Sequence, residues 1–496
     1  MDISRKPENQ PDQAVYRIPA GVQPLEAGRR PTLTTSQGGR VVVDRIMLQI
    51  WQQADGRSGQ ELLAYFRNAG LPLQEIKAAL DCLVQAGLLT QANASHPAEC
   101  PEKKIERSGP LVSVLIVSYN SQAWLPDCLA SLGDQSYSPL EIIVVDNGSS
   151  DGSPDWLAEH HPDVTLVRLG DGCSLAGAIN RGIEAGRGEY ILLLNPDVVL
   201  DPEAVFRLVE TAQSDQRCAA AAAKLRLLWA PAFLNGLGNL VGALSWGTDG
   251  ALGHLDLGQF DHWSELPSAC FAATLLPMRA VHEIGPLDEG FPMYYEDSEW
   301  CYRARLFGYT VRLAPKAVVY HAFSGRTPGG SDSSLGAVKL QRVVYGRLRF
   351  ITRLLGSGYW LRFFISYLVE DLLNGLLYLM RGRWRHVRGT FLAWRDYLSA
   401  LPELRLEYKM IQQRRKLTDQ ELFRLQRQIP VPLIRGGQPL LTWDIVCHEY
   451  LPRLGAPQSA KPKLSLKRAL AIWRIEGFKA MAHRIGRSVV WKWMQP

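Results

Sequence analysis

Polar side chains capable of chemistry follow apolar runs at several points of the chain. Tyr119 and Asn120 end the run LVSVLIVSYN, Asp146 and Asn147 end the apolar part of LEIIVVDNGSS, and His321 follows a run of Val and Tyr. Carboxylate oxygens can hold a hard divalent cation or take a proton from a hydroxyl group. These residue types at the ends of apolar runs therefore indicate a ligand-binding site.

The runs that precede these residues have the character of buried parallel strands. They are short, rich in Val and Ile, and they end abruptly in polar residues and Gly. Between the first two, Gln122–Leu132 has apolar residues at helical spacing, which predicts a strand–helix–strand unit. Ligands of open α/β sheets bind at the carboxyl ends of the strands, so we expect the polar residues to meet at one edge. Further strands are predicted at Val164–Arg168, Glu189–Asn195, Ala269–Pro277, Thr310–Ala314 and Ala317–Tyr320.

Six motifs follow one another in this part of the chain. They are VSYN at 117–120, VDNGSSDGS at 145–153, AGAINRG at 176–182, LLLNPD at 192–197, MYYEDSEWCYR at 293–303 and VVYHAFSG at 318–325. Together they resemble the family 2 glycosyltransferases, which are inverting enzymes of the nucleotide-binding GT-A fold. Asn-Pro-Asp, standing where many relatives carry Asp-x-Asp, resembles the rhamnosyltransferase-like branch. The resemblance implies an α/β fold with a mostly parallel sheet and flanking helices.

The resemblance also implies roles for individual residues. Asp297 would be the catalytic base, while Asp197 and His321 would bind a divalent cation, Mg²⁺ or Mn²⁺. Transfer from a nucleotide sugar expels a nucleoside diphosphate, and a cation neutralises its developing charge. The residues implied to bind the nucleotide or the substrates are Ser118, Tyr119, Asn120, Asp146, Asn147, Gly177, Asn180, Arg181, Asn195 and Glu296.

Four of these features also have a structural interpretation. Asn-Pro-Asp can be a turn that leaves a strand, and His321 can be a hydrogen-bonding residue. Asp297 can cap a helix, because negative charge is favoured at a helix N-terminus. Asp146 can form a turn before Gly148. The rival dinucleotide fingerprint GxGxxG is absent after the first strand.

Composition places limits on the class of protein. A chain of 496 residues predicts two to four domains. Its eight cysteines are scattered without a CxxC pair, which favours free thiols in a reducing compartment. The polar start lacks an apolar segment, so no secretory signal is expected. No stretch reaches about 18 uncharged apolar residues, so a spanning helix is not expected either.

The chain divides into six predicted segments. They are a disordered lead-in at 1–40, a helical domain at 41–92, a linker at 93–110, the GT-A domain at 111–326, a basic helical region at 327–428 and a C-terminal extension at 429–496. The helical domain resembles winged-helix domains, and Ser58 with Glu61 predicts a capping box. Its third helix offers only Lys77 against Glu75 and Asp81, so no nucleic acid is expected as a partner.

Positive charge is concentrated in one segment. Between Lys339 and Gln428 there are 18 Lys and Arg against 7 Asp and Glu, an excess of 11, although the whole chain carries only +6. With the apolar stretch Leu354–Met380, this predicts reversible binding to an anionic membrane surface. The aromatic residues Tyr359, Trp360, Phe363 and Phe364 are expected to insert. The alternative is a soluble helical bundle with a solvated basic face.

The resemblance and the charge pattern together imply a cytoplasmic enzyme at the inner face of the cell membrane. It would transfer rhamnose or a related deoxysugar from a TDP- or UDP-sugar to a glycan or lipid-linked glycan, in cell-surface polysaccharide synthesis. One alternative is a winged-helix regulator with a degenerate sugar-nucleotide domain. Another is a processive polysaccharide synthase, but that group's Gln-x-x-Arg-Trp motif is missing.

Overall fold

The computed structural model describes residues 14–25, 31–68, 70–91, 106–242, 247–323, 336–430 and 432–453. Most of the predicted C-terminal extension, residues 454–496, lies outside the described residues. So do most of the predicted linker and residues 324–335, which span the end of the predicted GT-A domain and the start of the basic helical region.

A mixed sheet of nine strands forms the centre of the molecule. Six of the nine described strands run in one direction, because four neighbouring pairs are parallel and the remaining contacts are antiparallel. Along the sheet the order is Val198–Leu200, Thr310–His321, Cys218–Leu227, Ala273–Pro277, Tyr190–Leu194, Arg107–Ser118, Tyr137–Asp146 and Thr165–Arg168, with Ala230–Gly236 beside Cys218–Leu227. The predicted α/β class with a mostly parallel sheet is confirmed.

Helices cover the sheet, and two apolar cores lie against it. One core is formed with the helices that follow the first strands, and the other extends into the C-terminal helices. The helices associated with the sheet are Leu125–Gly133, Ser153–His160, Leu175–Ala185, Ala204–Gln213, Met278–Ile284 and Glu296–Leu306. Since the sheet is covered, its central strands Tyr190–Leu194 and Ala273–Pro277 are fully buried, which agrees with the apolar runs in the sequence.

Several predicted boundaries shift in the structure. The first strand starts at Arg107, inside the predicted linker, because its early part pairs with Tyr137 and Ser138. The two strands predicted near residue 315 form one strand, Thr310–His321. The Gly- and Trp-rich segment 229–266, which lacks periodicity, contains the strands Ala230–Gly236, Asn239–Leu240 and Thr248–Asp249.

Three helices form the N-terminal module, as predicted. They are Arg45–Ala54, Gly59–Asn68 and Leu73–Gln85. The capping box is confirmed, because Glu61 N donates to Ser58 Oγ at 3.3 Å and Ser58 N donates to Glu61 Oε2 at 2.7 Å. The resemblance to winged-helix domains stays a prediction.

The prediction of a disordered lead-in over residues 1–40 is wrong for its described part. Strands at Tyr16–Arg17, Pro24–Leu25 and Thr32–Thr34 belong to the N-terminal module, where Thr32–Thr34 pairs with Arg40–Val43. Residues 429–496 were also predicted to form an extension separate from the N-terminal module, and the described part of this segment contradicts that prediction. Gln438–Leu441 runs parallel to Arg40–Val43 and pairs with Ile434–Arg435, since its apolar residues complete the module's core.

Three long helices follow the sheet: Ala337–Leu354, Ser357–Met380 and Trp384–Gln413, with Asp419–Arg424 after them. Contrary to the sequence-based expectation, one of them, Ser357–Met380, is long and apolar enough to cross a membrane by length and composition alone. Such a result by itself is weak evidence, because core helices of soluble proteins meet the same criterion.

The orientation of helix Ser357–Met380 also corrects a prediction. The aromatic residues expected to insert into lipid point inward: Phe363 is fully buried, and the rings of Tyr359 and Phe363 lie 5.7 and 5.5 Å from that of Phe423. Part of the basic excess is buried as well. Arg347 is buried between Glu370 and Asp371, so its charge is neutralised inside the protein.

Candidate active site

Asp197 and His321 lie side by side at the end of the sheet. Val198 pairs with His321 across two antiparallel strands, which places the preceding Asp197 beside the imidazole. The distance from Asp197 Oδ1 to His321 Nε2 is 3.3 Å, and both residues are buried. The sequence predicted these two residues as a cation-binding pair, and the fold brings them together although they are far apart in the chain.

A third residue, Asn235, orients His321. The distance from His321 Nδ1 to Asn235 Oδ1 is 2.7 Å, and Asn235 is buried. A carbonyl oxygen can only accept, so Nδ1 donates to Asn235, and Nε2 is the ring nitrogen that faces Asp197. Histidines that bind metals are commonly oriented in this way by a hydrogen bond to the other ring nitrogen.

The donor atoms therefore fit a divalent cation. A carboxylate oxygen and an imidazole nitrogen supply two ligands, and the Asn195 amide lies 3.3 Å from His321 Nε2. No cluster of three or more His, Cys, Asp or Glu with metal-binding geometry occurs in the described part of the chain. A cation held here would keep other coordination positions for phosphate oxygens and water, as Mg²⁺ commonly does.

The second part of the site is the start of helix Glu296–Leu306. Tyr294 and Tyr295 precede it with φ of 72° and 73°, the left-handed region that residues with a side chain adopt only when their surroundings hold them. Tyr295 is buried, and its hydroxyl accepts a hydrogen bond of 2.9 Å from Gly247 N. This fixed turn directs Glu296 and Asp297 from the helix N-terminus into the site.

Asp297 is held by several donors. Ser298 N donates to Oδ1 at 2.6 Å, and the Asn239 amide donates to Oδ2 at 2.5 Å. Burial raises the pKa of Asp297, while the hydrogen bonds from Ser298 and Asn239 oppose that shift. The side chain is only partly buried, so it remains reachable by a substrate hydroxyl group.

Two further carboxyl groups lie close to Asp297. Glu296 is buried, its Oε2 has no hydrogen-bond partner among the described residues, and burial together with the charge of Asp297 raises its pKa to about 8. Burial and the charge of Asp297 also raise the pKa of Asp249 to about 6, whereas His321 lowers it. Asp249 pairs with Asn239, which donates to Asp297, and it also lies against Gly236, the residue after Asn235. It therefore lies between the two parts of the site.

Sequence reasoning missed Asn235, Asn239 and Asp249. All three lie in the segment 229–266, which is rich in Gly and Trp and has little periodicity. Asn239 and Asp249 face each other in a pair of two-residue strands, too short to give a periodic signal. The sequence signal that could have indicated these residues was the occurrence of Asn and Asp between the glycines of this segment.

The residues predicted to bind the nucleotide lie at the ends of two other strands, Arg107–Ser118 and Tyr137–Asp146. Ser118 and Asp146 are register partners in neighbouring parallel strands, and both are buried. Ser118 Oγ has no hydrogen-bond partner in the described part of the structure. The exposed Tyr119 and Asn120 follow directly, so a ring bound above this edge could stack on Tyr119.

Asn120 and Asn147 hold the loops of this edge. Asn120, with φ of 50°, accepts a 2.8 Å hydrogen bond from Ser150 N. The side chain of Asn147 accepts a hydrogen bond of 2.8 Å from Cys173 N and donates one of 3.0 Å to Cys173 O. Gly172 fits against this contact because a Cβ there would lie 2.7 Å from Asn147 O.

The residues predicted along the diphosphate have structural contacts. Asn180 is buried, donates to Leu287 O and Glu289 Oε1 at 3.0 Å and accepts from Leu287 N. Gly177 N donates to the helix cap Ser174, and the exposed Arg181 forms an ion pair of 3.3 Å with Glu184. The amide of Asn180 is thus already satisfied by protein groups. A diphosphate contact by these residues stays a prediction.

Comparison with known proteins gives a partial match. Residues 113–225 match the model of the family described as Glycosyl transferase family 2. This range contains Asp146 and Asp197 but ends before Asp297 and His321.

The chain is also similar to curated relatives and to a solved structure. EpsH of Bacillus subtilis (strain 168) is 36% identical over 105 residues, which cover 21% of this chain and only 30% of EpsH. An N-acetylglucosaminyl-diphospho-decaprenol L-rhamnosyltransferase of Mycobacterium tuberculosis (strain CDC 1551 / Oshkosh) is 26% identical over 254 residues, covering 46% of this chain and 81% of that relative. The structure of S. aureus TarS 1-349 in complex with UDP-GlcNAc is 13% identical, covers 60% of this chain and 91% of that one, and has a TM-score of 0.39.

Proposed function

We propose that this protein is an inverting glycosyltransferase. It would transfer a sugar from a nucleotide-diphosphate donor to a glycan or lipid-linked glycan in cell-surface polysaccharide synthesis. The observation that carries the proposal is the proximity of two functional groups in one site, the Asp197–His321 pair and the carboxyl of Asp297. Asn235 contacts His321, and at the next residue, Gly236, a Cβ would lie 3.1 Å from Asp249 Cβ. Asp249 pairs with Asn239, which donates a hydrogen bond to Asp297. The family 2 match over residues 113–225 supports the same class of reaction.

Asp297 would act as the general base. Its carboxylate takes the proton of the acceptor hydroxyl as that oxygen bonds to C1 of the sugar. The bond from C1 to the phosphate oxygen breaks on the opposite face, and its electron pair leaves with the nucleoside diphosphate. Asn239 and Ser298 hold the carboxylate in one orientation, which reduces the reorganisation needed during the reaction.

Asp197 and His321 would hold a divalent cation, with Asn235 fixing the imidazole. Such a cation supplies positive charge to the leaving diphosphate when it is bound. Asn195 stands where a second acid is common in relatives, so the protein contributes one carboxylate charge fewer. We expect the cation to bind weakly alone and more tightly together with the donor.

Rhamnose or a related deoxysugar, carried by TDP or UDP, is the proposed donor sugar. The motif Asn-Pro-Asp and the similarity to a mycobacterial relative named as a rhamnosyltransferase favour this choice. That relative's name contains a lipid-linked diphospho-sugar, which favours an acceptor of this kind. Such an acceptor would place the enzyme at the cytoplasmic face of an anionic membrane.

The regulator alternative is not favoured by the N-terminal module. Its third helix, Leu73–Gln85, packs against the turn Val446–Tyr450, and Glu75 accepts a hydrogen bond of 3.2 Å from Cys447. A DNA-reading helix needs an exposed basic face, and this helix offers only Lys77 between acids.

Screening the purified protein against TDP-, UDP- and GDP-sugars tests the proposal. Each donor is incubated with and without Mg²⁺ or Mn²⁺, and release of nucleoside diphosphate is measured with a lipid-linked glycan acceptor. We expect release with a TDP- or UDP-deoxysugar, dependent on the cation and absent in Asp297→Asn. Absence of release and of donor binding across the panel would contradict the proposal.

A further inference from the structure

The outer side of helix Ser357–Met380 carries an uninterrupted apolar stripe, which we call the leucine face. It consists of Leu361, Ile365, Leu368, Leu372, Leu376 and Leu379, which are between 37% and 65% exposed. Their spacing of three and four residues places them along one side of an α-helix. Isolated exposed leucines are ordinary, but a stripe of six over five turns marks an interaction surface.

The inner side of the same helix is fixed to the protein. Asp371 forms an ion pair with Arg347 and accepts a 2.9 Å hydrogen bond from Trp394 Nε1. Tyr367 is buried, and its hydroxyl donates to Gly242 O at 2.7 Å. These contacts bind one side of the helix to the sheet domain and to the neighbouring helices. Crossing a bilayer would break them and expose Asp371 and Glu370 to hydrocarbon.

Positive charge lies at the C-terminal end of the leucine face. Arg381, Arg383, Arg385 and Arg388 are exposed in the turn after the helix and in the first turn of the next. They therefore differ from Arg347, whose charge is neutralised inside the protein. An apolar stripe beside exposed arginines matches the chemistry of an anionic bilayer surface, where aliphatic side chains reach the acyl boundary and cations meet head groups.

We propose that the leucine face and these four arginines form the membrane-docking surface of the protein, with the helix lying in the plane of the bilayer. This deepens the proposed location of the enzyme and replaces the aromatic residues expected from the sequence. The occupant is a lipid bilayer containing anionic lipid. The helix enters one leaflet only, because its inner side stays bound to the protein.

Sedimentation with vesicles tests the apolar part of the surface. The full chain is mixed with vesicles of phosphatidylcholine alone, or with an equal amount of phosphatidylglycerol. We expect binding to the anionic vesicles, reduced at least about tenfold in the variant Leu372→Glu/Leu376→Glu. The matched control Tyr65→Glu/Leu73→Glu makes the same change at two exposed residues of the N-terminal module and should bind like the wild type.

A second pair of variants tests the charges. Arg383→Gln/Arg385→Gln should weaken binding about fivefold for each arginine, and raising the salt from about 0.1 M to about 1 M should remove this difference. Arg45→Gln/Arg67→Gln, which removes the same charge from exposed sites of the N-terminal module, is the control. Equal losses in both pairs would show that only net charge matters and would overturn the proposed surface.

Other occupants give different results. If a second copy of the chain covers the leucine face, the wild type is a dimer by light scattering and the glutamate variant a monomer. If residues 454–496 cover it, the glutamate variant loses thermal stability while vesicle binding is unchanged. Resistance of the membrane-bound protein to alkaline carbonate would indicate a spanning helix. Each of these outcomes contradicts the proposal, and none depends on sugar transfer, so it can fail while the enzymatic function stands.

Discussion

The side-chain amide of Asn239 donates a hydrogen bond of 2.5 Å to Asp297 Oδ2. The two residues are 58 positions apart, and the contact joins a two-residue strand to the first turn of a helix. Asn239 pairs in turn with Asp249, whose pKa is raised to about 6 by burial and by the charge of Asp297. The paired short strands Asn239–Leu240 and Thr248–Asp249 thus position the residue that holds the proposed base in place.

Replacing Asp297 by Asn should nearly abolish sugar transfer. The change removes the proton acceptor but keeps the shape, and loss of a general base costs about 10²–10⁴-fold in rate. Donor affinity, measured by calorimetry, should stay within a few-fold. Asp155→Asn, at an exposed carboxylate, is the control and should be active. Turnover above about a third of the wild-type value would show that Asp297 is not the base.

Asn239→Ala tests the positioning of that base. We expect kcat to fall about tenfold to hundredfold with little change in KM, because the carboxylate loses a fixed orientation. The hydrogen bond from Asn239 lowers the pKa of Asp297, so its loss raises that pKa. The acidic limb of the rate–pH profile should therefore move to higher pH. A purely structural role would lower stability and leave the limb in place. Asn68→Ala, at the exposed end of a helix, is the control.

Loss of the cation ligands should have graded effects on donor binding. Asp197→Ala removes a charged oxygen and should abolish the dependence of donor affinity on Mg²⁺ or Mn²⁺. His321→Ala should weaken the effect of Mn²⁺ more than that of Mg²⁺, because imidazole is a poorer ligand for the harder ion. Asn235→Ala should lie between His321→Ala and the wild type. Titration of nucleoside diphosphate with each ion measures these differences, and unchanged affinity in all three variants would exclude the cation role.

The pH dependence of stability should report on Glu296. Its pKa rises from 4.5 to about 8 on folding, chiefly through burial. The folded protein therefore holds this proton more tightly, and the stabilisation is complete below pH 4.5 and lost as the pH rises through about 8. Glu296→Gln cannot titrate, so its melting temperature should fall less than that of the wild type over this range.

A matched carboxyl group with the opposite shift provides the control. Glu421 has a pKa lowered by hydrogen bonds from Thr418, so its contribution changes only at acidic pH. Glu421→Gln should therefore follow the wild-type slope between neutral pH and pH of about 9. If Glu296→Gln also keeps that slope, Glu296 is not protonated in the folded protein at neutral pH.

The amino-acid sequence was sufficient to predict the α/β class and the positions where strands deliver polar residues. Apolar runs that end at Ser118, Asp146 and Asn195 carry this information locally, because a buried strand is apolar and its end leaves the core. The capping box of Ser58 and Glu61 is also local, since both partners lie within one helical turn.

Only the tertiary structure decided which residues support the site and which side of a helix is buried. Asn235, Asn239 and Asp249 act through contacts with residues far away in the chain, and no periodic pattern marks such contacts in advance. Helix Ser357–Met380 has apolar side chains on both sides, so periodicity could not choose between them. Its aromatic side faces inward because Phe423, Trp394 and Tyr397 provide rings to pack against, which leaves the leucines exposed.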